Sequence, residues 1–297
     1  MTAIREIARA KINLTLSVLG RRPDGYHEIE SLVTFADFGD VVSLQPGSAP
    51  EVATSGPFAA AIDGPNLIER ALTLLREAEP GLRLGAVALE KNLPVAAGLG
   101  GGSADAAALL RAVRRANPDF ATRVPWETIA ARLGADVTVC LAGRPALISG
   151  IGEKVEPLIH GLPPVAGILA NPGLPLATAA VYRVLEARPA PSHRPPATAP
   201  GPFADLASLI DYMRTRGNDL ERPATSLLPV VADLEAALAA LPGCLWAALS
   251  GSGPTCFGIF ASEVDAASAA ATLSAAHPGC WVKAARLDRG RTLNVPG

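Results

Sequence analysis

Residues 93–108 read LPVAAGLGGGSADAAA: a proline-marked entry at Pro94, a glycine-dense turn, and then an alanine- and leucine-rich stretch. Gly98, Gly100, Gly101 and Gly102 lack a Cβ, so the main chain around Leu99 can take positive φ and come close to a ligand's oxygens. Ser103 is of a favoured N-cap type, and Ala106, Leu109, Leu110 and Val113 behind it recur on one helical face. The unpaired N–H groups of such a first turn, together with the positive end of the helix dipole, stabilise an anion. Phosphate is the expected guest. The same glycine density also suits a flexible surface loop ahead of an ordinary helix, and the run alone does not separate the two.

Two commoner glycine motifs fit poorly. A Walker A loop ends in Gly-Lys-Ser/Thr, whereas Gly102 is followed directly by Ser103. A dinucleotide fingerprint needs a strand running into its first glycine, and Pro94 breaks any strand continuing from Leu84–Glu90.

The elements around the loop follow from periodicity. Strand-like patterns cover 12–18, 29–35, 41–44 and 84–89, and helical ones cover 67–77, 104–115 and 126–133, with a short strand at 146–149. A second half begins near Val165 with a strand, then helices over 178–186, 206–215 and 230–241. Strands at 245–249 and 255–260 flank the SGSG turn, followed by a helix over 264–276 and a strand over 281–286. The fold class is α+β, with a domain boundary between Leu158 and Val165, giving domains of residues 1–160 and 161–297. Six prolines between Pro189 and Pro202 predict an exposed connection inside the second half.

Composition bounds the partners. With 297 residues, 49% of them hydrophobic and 18% charged, the chain is long enough for two cores. A net charge of −2 gives no broad basic surface for nucleic acid. The N-terminal stretch carries Arg5, Glu6, Arg9 and Lys11 rather than an apolar core, and no segment has the apolar length to span a bilayer. The expectation is a cytoplasmic protein without a membrane partner. Cys140, Cys244, Cys256 and Cys280 form no CxxC pair and the four histidines are scattered, so buried free thiols are expected rather than a zinc site.

Three segments in one order, AKINLTL at 10–16, LPVAAGLGGGSADAA at 93–107 and LSGSGPTCF at 249–257, resemble the three signature motifs of the GHMP small-molecule kinases. DGYHEIES at 24–31 and GNDLE at 217–221 are similar to the branch of that superfamily that phosphorylates 4-diphosphocytidyl-2-C-methyl-D-erythritol. The likeness implies a two-domain GHMP kinase fold, with a ribosomal protein S5 domain 2-like N-terminal domain that binds ATP and a ferredoxin-like C-terminal domain. It also implies transfer of the ATP γ-phosphate to the 2-hydroxyl of that acceptor, in the non-mevalonate route to isoprenoids. A monomer or weak homodimer is expected.

Site residues carry over by position. Asp136 matches the catalytic aspartate that takes the hydroxyl proton, and Lys11 the motif-one lysine that stabilises charge on that aspartate and on the phosphoryl group. Tyr26 and His27 match the cytidine-binding pair, with Tyr182 as a second aromatic, and Asn13 and Thr178 match positions that hydrogen-bond the methylerythritol hydroxyls. Asn66 and Leu67 match a segment lining the adenine pocket, while Gly98–Ser103 wrap the phosphates. Lys91 either adds positive charge near phosphate or ribose, or is a strand-end surface charge. Gly251 and Gly253 let the third motif approach the phosphate loop or the acceptor's diphosphate. Mg²⁺ is implied as the partner of ATP, with Ser103 as its one named protein ligand. Ala104 stands where a second serine is common, and Gly64 where an acidic residue is frequent; neither touches the chemistry directly. A homoserine- or mevalonate-type GHMP kinase shares the phosphate loop but has no use for Tyr26 and His27, and a silent nucleotide-binding relative has no use for Lys11 and Asp136.

Overall fold

A computed structural model describes residues 2–64, 66–186 and 200–287. The proline-rich stretch up to residue 199 lies outside the described residues. In chain order the first strands are β1 (Ile4–Asn13), β2 (Ser17–Arg21), β3 (His27–Pro46) and β4 (Val52–Ser55). Then come α1 (Leu67–Ala78), β5 (Gly85–Glu90), α2 (Gly101–Ala116), α3 (Trp126–Leu133), α4 (Ala135–Ala142), β6 (Ala146–Gly150) and β7 (Lys154–Pro157). The remainder is β8 (Ala166–Asn171), α5 (Thr178–Glu186), α6 (Leu206–Arg216), α7 (Glu221–Leu227), α8 (Val230–Ala239), β9 (Cys244–Leu249), β10 (Cys256–Phe260), α9 (Glu263–Ala276) and β11 (Trp281–Arg286).

These elements form two compact units, one of residues 1–10, 38–95 and 100–142, the other of residues 11–37, 96–99 and 143–297. The chain therefore passes between units several times, whereas the sequence places one boundary near residue 160.

In the first unit the later half of β3 pairs antiparallel with β5 from Val41↔Glu90 to Pro46↔Gly85, and β4 pairs parallel with β5. Helices α1 to α4 pack on one another. α1 is amphipathic, burying Ile68, Ala71, Leu72, Leu74 and Leu75, and Asn66 caps it by accepting from the Ile68 N–H at 3.0 Å. α2 is buried over most of its circumference, which its alanines permit by letting neighbouring helices approach closely. Arg111, itself buried, ties three elements together. It donates to Glu6 Oε2 at 2.9 Å and Ile7 O at 3.0 Å on β1, and to Cys140 O at 2.8 Å on α4.

In the second unit the early half of β3 pairs with β2 and with β6, and β6 with β7. Its other sheet is fully antiparallel in the order β11-β8-β10-β9. The first and third of its strands in sequence lie at the centre, which is the ferredoxin-like arrangement expected. β8 is buried at every position, apolar or glycine from Ala166 to Ala170 and closed by the buried Asn171. The core gathers Ile168, Val181, Leu220, Val231, Leu238, Phe260 and Leu273.

Two local expectations give way. Patterns at 29–35 and 41–44 predict two strands, but β3 runs through both. Gly39 between them is no turn: a Cβ there would sit 1.9 Å from Ala8 O, so the glycine serves close backbone approach. The strand expected over 12–18 is instead divided between β1 and β2. Leu14 N and Thr15 N both donate to Leu32 O, at 2.8 and 3.4 Å, which bends the chain after Asn13. Cys140 and Cys256 are buried free thiols, whereas Cys244 and Cys280 are only half-buried.

Gly39→Ala drives a methyl group into a backbone carbonyl that cannot rotate away. The expected cost is on the order of 3 kcal/mol, read as a lower urea midpoint at unchanged slope.

Candidate functional site: a glycine turn and what holds it

α2 starts at Gly101, with Gly100 as its cap in the left-handed region at φ 61°. Ser103 is therefore the third helical residue and not the N-cap its type suggests. Glycine takes the cap because the turn needs positive φ, which serine adopts only with strain. No side chain caps this terminus, so the N–H groups of residues 101 to 103 carry no capping oxygen and are available to a ligand's oxygens. Leu67 flanks the turn: its Cδ1 lies 3.7 Å from where a Cβ on Gly102 would stand.

Lys91 is neither a surface charge nor an unengaged cation. It is 3% exposed, and its Nζ donates to Asp40 Oδ2 at 2.5 Å and to Asp105 Oδ2 at 2.8 Å. Burial alone would lower the Lys91 pKa, but Asp105 and Asp40 together outweigh it and leave it raised. Burial pushes the Asp105 carboxyl up, against the pull of Lys91 and with the push of Asp40, to about 7. Asp40 Oδ1 accepts from the Asn92 and Leu93 N–H groups at 2.5 and 2.8 Å. The buried Asp105 Oδ1 has no hydrogen-bond partner in the protein. Asp136 stands in the first turn of α4, at the positive end of that helix.

In the second unit, Gly98 at φ 74° meets the SGSG turn of residues 250–253. A Cβ on Gly98 would lie 2.5 Å from Ser250 O and 2.9 Å from Gly253 O. Ser250 Oγ donates to Gly98 O at 3.1 Å and accepts from Asn13 N at 3.2 Å, while Thr255 N donates to Ala97 O at 3.3 Å. Leu99 O accepts from Lys11 N at 2.9 Å, and Asn13 Nδ2 donates to Ser31 Oγ at 2.7 Å. Within this unit the third motif therefore packs directly on Ala97 and Gly98. Gly251 and Gly253 take positive φ there, at 58° and 78°, and a Cβ on Gly251 would crowd Asn13 Oδ1 at 3.0 Å. The Thr178 and Ser252 hydroxyls share a hydrogen bond at 2.8 Å.

Further residues support this turn without having been assigned roles from the sequence. Asn218 Nδ2 donates to Leu249 O at 3.0 Å and to Gly251 O at 2.8 Å, and Asp219 Oδ2 accepts from Val18 N at 2.8 Å. Both fall in the GNDLE segment, whose family resemblance was the available signal. Asn171 Nδ2 bonds Thr255 Oγ1 at 2.8 Å, and nothing in the sequence marks that pair.

Tyr26 is 60% exposed beside His27, and the His27 imidazole stacks on Tyr182 with centroids 4.7 Å apart and an interplanar angle of 27°. His27 Nε2 lies 3.3 Å from Glu186 Oε1. Burial lowers the His27 pKa below its ordinary value, with Glu186 opposing and Arg21 assisting, which favours the neutral ring beside Glu186.

A helix N-terminus left open behind a glycine turn in one unit and, within the other, a second glycine turn packed against Gly98 are the features of a phosphate-handling α+β protein. Family models agree: GHMP kinases N terminal domain matches residues 66–144 and GHMP kinases C terminal matches residues 201–279. The chain belongs to the GHMP kinase family. Within it, the chain is 50% identical to the 4-diphosphocytidyl-2-C-methyl-D-erythritol kinase of Parvibaculum lavamentivorans, over 94% of this chain and 97% of that one. A crystal structure of 4-(cytidine 5'-diphospho)-2C-methyl-D-erythritol kinase is similar with a TM-score of 0.76 and 34% identity, covering 97% of this chain and all (100%) of that one. Homoserine kinase from Cytophaga hutchinsonii shares the fold, with a TM-score of 0.69 over 98% of this chain and 96% of its own, at 17% identity.

The His27 titration midpoint, followed by NMR of the imidazole, is expected below 6.5. Glu186→Gln should lower it further, since that carboxylate raises it, and Arg21→Met should move it up. A lowered folded-state pKa means the folded chain binds fewer protons than the unfolded chain just below pH 6.5. The contribution of His27 to stability is therefore full above that pH and is lost as the pH falls toward the folded-state midpoint.

Proposed function

We propose that this chain transfers the γ-phosphate of ATP to the 2-hydroxyl of 4-diphosphocytidyl-2-C-methyl-D-erythritol. The observation that carries the reading is the open N-terminus of α2 behind Gly100, in a chain half identical to a kinase named for that acceptor. Three unpaired N–H groups and a helix dipole suit a polyphosphate and leave little else for that turn to do. Leu67, next to Gly102, and Asn66 at the cap of α1 suit an adjoining adenine.

Phosphoryl transfer asks the protein to place two reactants, neutralise charge on the moving group and take one proton. Asp136 accepts the proton of the acceptor hydroxyl. The Lys11 ammonium stabilises negative charge on that carboxylate and on the phosphoryl oxygens. Tyr26 offers an exposed aromatic face for the cytosine ring, and neutral His27 offers a hydrogen-bonding edge. Asn13 and Thr178, both tied to the SGSG turn, hold the methylerythritol hydroxyls; Gly251 and Gly253 keep that turn close enough for backbone contact with phosphate.

Mg²⁺ fits this set of donors. Among the described residues no group of three or more His, Cys, Asp or Glu side chains is arranged to hold a metal, and Mg²⁺ characteristically takes most of its ligands from substrate phosphates and water. The half-buried Ser103 hydroxyl in the first turn of α2 is the protein oxygen that would join them, and the ion would neutralise β- and γ-phosphate charge. No helix among the described residues is long and apolar enough to cross a membrane.

ATP consumption measured in parallel with 4-diphosphocytidyl-2-C-methyl-D-erythritol, homoserine and mevalonate should show turnover with the first alone; turnover only with another acceptor rejects the assignment. Asp136→Asn should lower kcat by about 10²-fold or more with both KM values nearly unchanged, and wild-type turnover would remove Asp136 from the mechanism. Tyr26→Ala and His27→Ala should raise KM for the cytidine-bearing acceptor and leave KM for ATP in place.

A further inference from the structure

The segment 94–104, which forms the glycine turn, is anchored at both ends to one ammonium group. On the entry side, Asp40 Oδ1 accepts from Asn92 N and Leu93 N, while its Oδ2 accepts from Lys91 Nζ at 2.5 Å. On the exit side, Asp105 on α2 accepts from the same Nζ at 2.8 Å. All three side chains are at least nine-tenths buried. The first turn of α2 lies directly over the cluster: a Cβ on Gly101 would stand 3.4 Å from Lys91 Nζ and 3.7 Å from Asp40 Oδ2.

A glycine-rich segment has more backbone freedom to lose than any other, so amides that must converge on phosphate need their ends fixed. Side-chain capping would do this, but it would occupy the donors the ligand requires. An ion cluster beneath the turn fixes the ends and leaves the amides open. Asp105 is otherwise difficult to explain. It is a poor helix former in the buried second turn of an alanine-rich helix, with one carboxylate oxygen unpaired.

We infer that Asp40, Lys91 and Asp105 are positioning residues for the ATP phosphates, acting as a buried clamp that holds the two ends of the phosphate loop at one point. Lys91 serves this role through the carboxylates rather than by touching nucleotide. The inference rests on the reading of residues 98–103 as a phosphate cradle.

The test is titration calorimetry of the full chain with Mg-ATP and with adenosine, for wild type, Asp105→Asn and Asp40→Asn, alongside steady-state KM values. Either substitution leaves Lys91 one carboxylate, and thermal melting reports whether each variant folds. Wild type should prefer Mg-ATP to adenosine strongly. In either folded variant the Mg-ATP affinity should fall about tenfold, the adenosine affinity should hold within about twofold, and KM should rise for ATP and not for the acceptor. A general packing defect would weaken both ligands together. An unchanged ratio of Mg-ATP to adenosine affinity in a folded variant overturns the clamp; no preference for Mg-ATP in wild type overturns the cradle itself and the clamp with it.

Discussion

A backbone turn can bind an anion only if its N–H groups are not already spent, and this constraint organises the site. At the start of α2 the chain reverses through Gly100 in the left-handed region and enters the helix with no side-chain cap. The usual stabilisation of a helix start, worth about 1 kcal/mol from a serine or aspartate cap, is forgone. Order then has to come from groups that grip the segment elsewhere. In one unit that is the buried Asp40–Lys91–Asp105 cluster; in the other it is Ser250, which donates to Gly98 O and accepts from Asn13 N.

The same constraint accounts for two kinds of glycine. Gly100 is present for its φ, whereas Gly98 needs both its φ and the absence of a Cβ, since Ser250 O and Gly253 O occupy the space a side chain would take. Gly39 belongs to neither kind: it precedes Asp40 on β3 and answers to the proximity of the β1 backbone. Glycine density is therefore a sign of close backbone approach before it is a sign of a loop.

Much of this was legible from residue order. The limits of α3 and α5 follow from hydrophobic periodicity, and the SGSG turn is recognisable because strands of the right length flank it. Local chemistry misleads where backbone conformation overrides side-chain preference, as at Ser103, whose N-cap type counts for nothing once Gly100 has made the turn. Lys91 was undecidable for a different reason. Its partners lie 51 and 14 residues away in sequence, and neither Asp40 nor Asp105 falls in a pattern that foretells burial. Long-range ion clusters leave no periodic trace. His27 with Tyr182 shows another case, where only the family resemblance singles out the two residues and the stack of one ring on the other is set by the fold.

The arrangement also separates what must be rigid from what must recognise. Arg111 binds α2 to α4 and to β1, so one guanidinium links the helix of the phosphate turn, the helix that carries Asp136 and the strand that continues into Lys11. Each of those bonds is buried or nearly so, and a planar fork meets several acceptors with less loss of side-chain freedom than a flexible ammonium would. The exposed groups are different in kind. Tyr26 stands in solvent, and burial against Tyr182 lowers the His27 pKa, so both keep the unspent surface and hydrogen-bonding capacity that the proposed role in reading a base requires. Rigidity thus falls on the elements proposed to align a phosphoryl group, and availability on the residues proposed to read an acceptor. A single buried core could supply the first without the second.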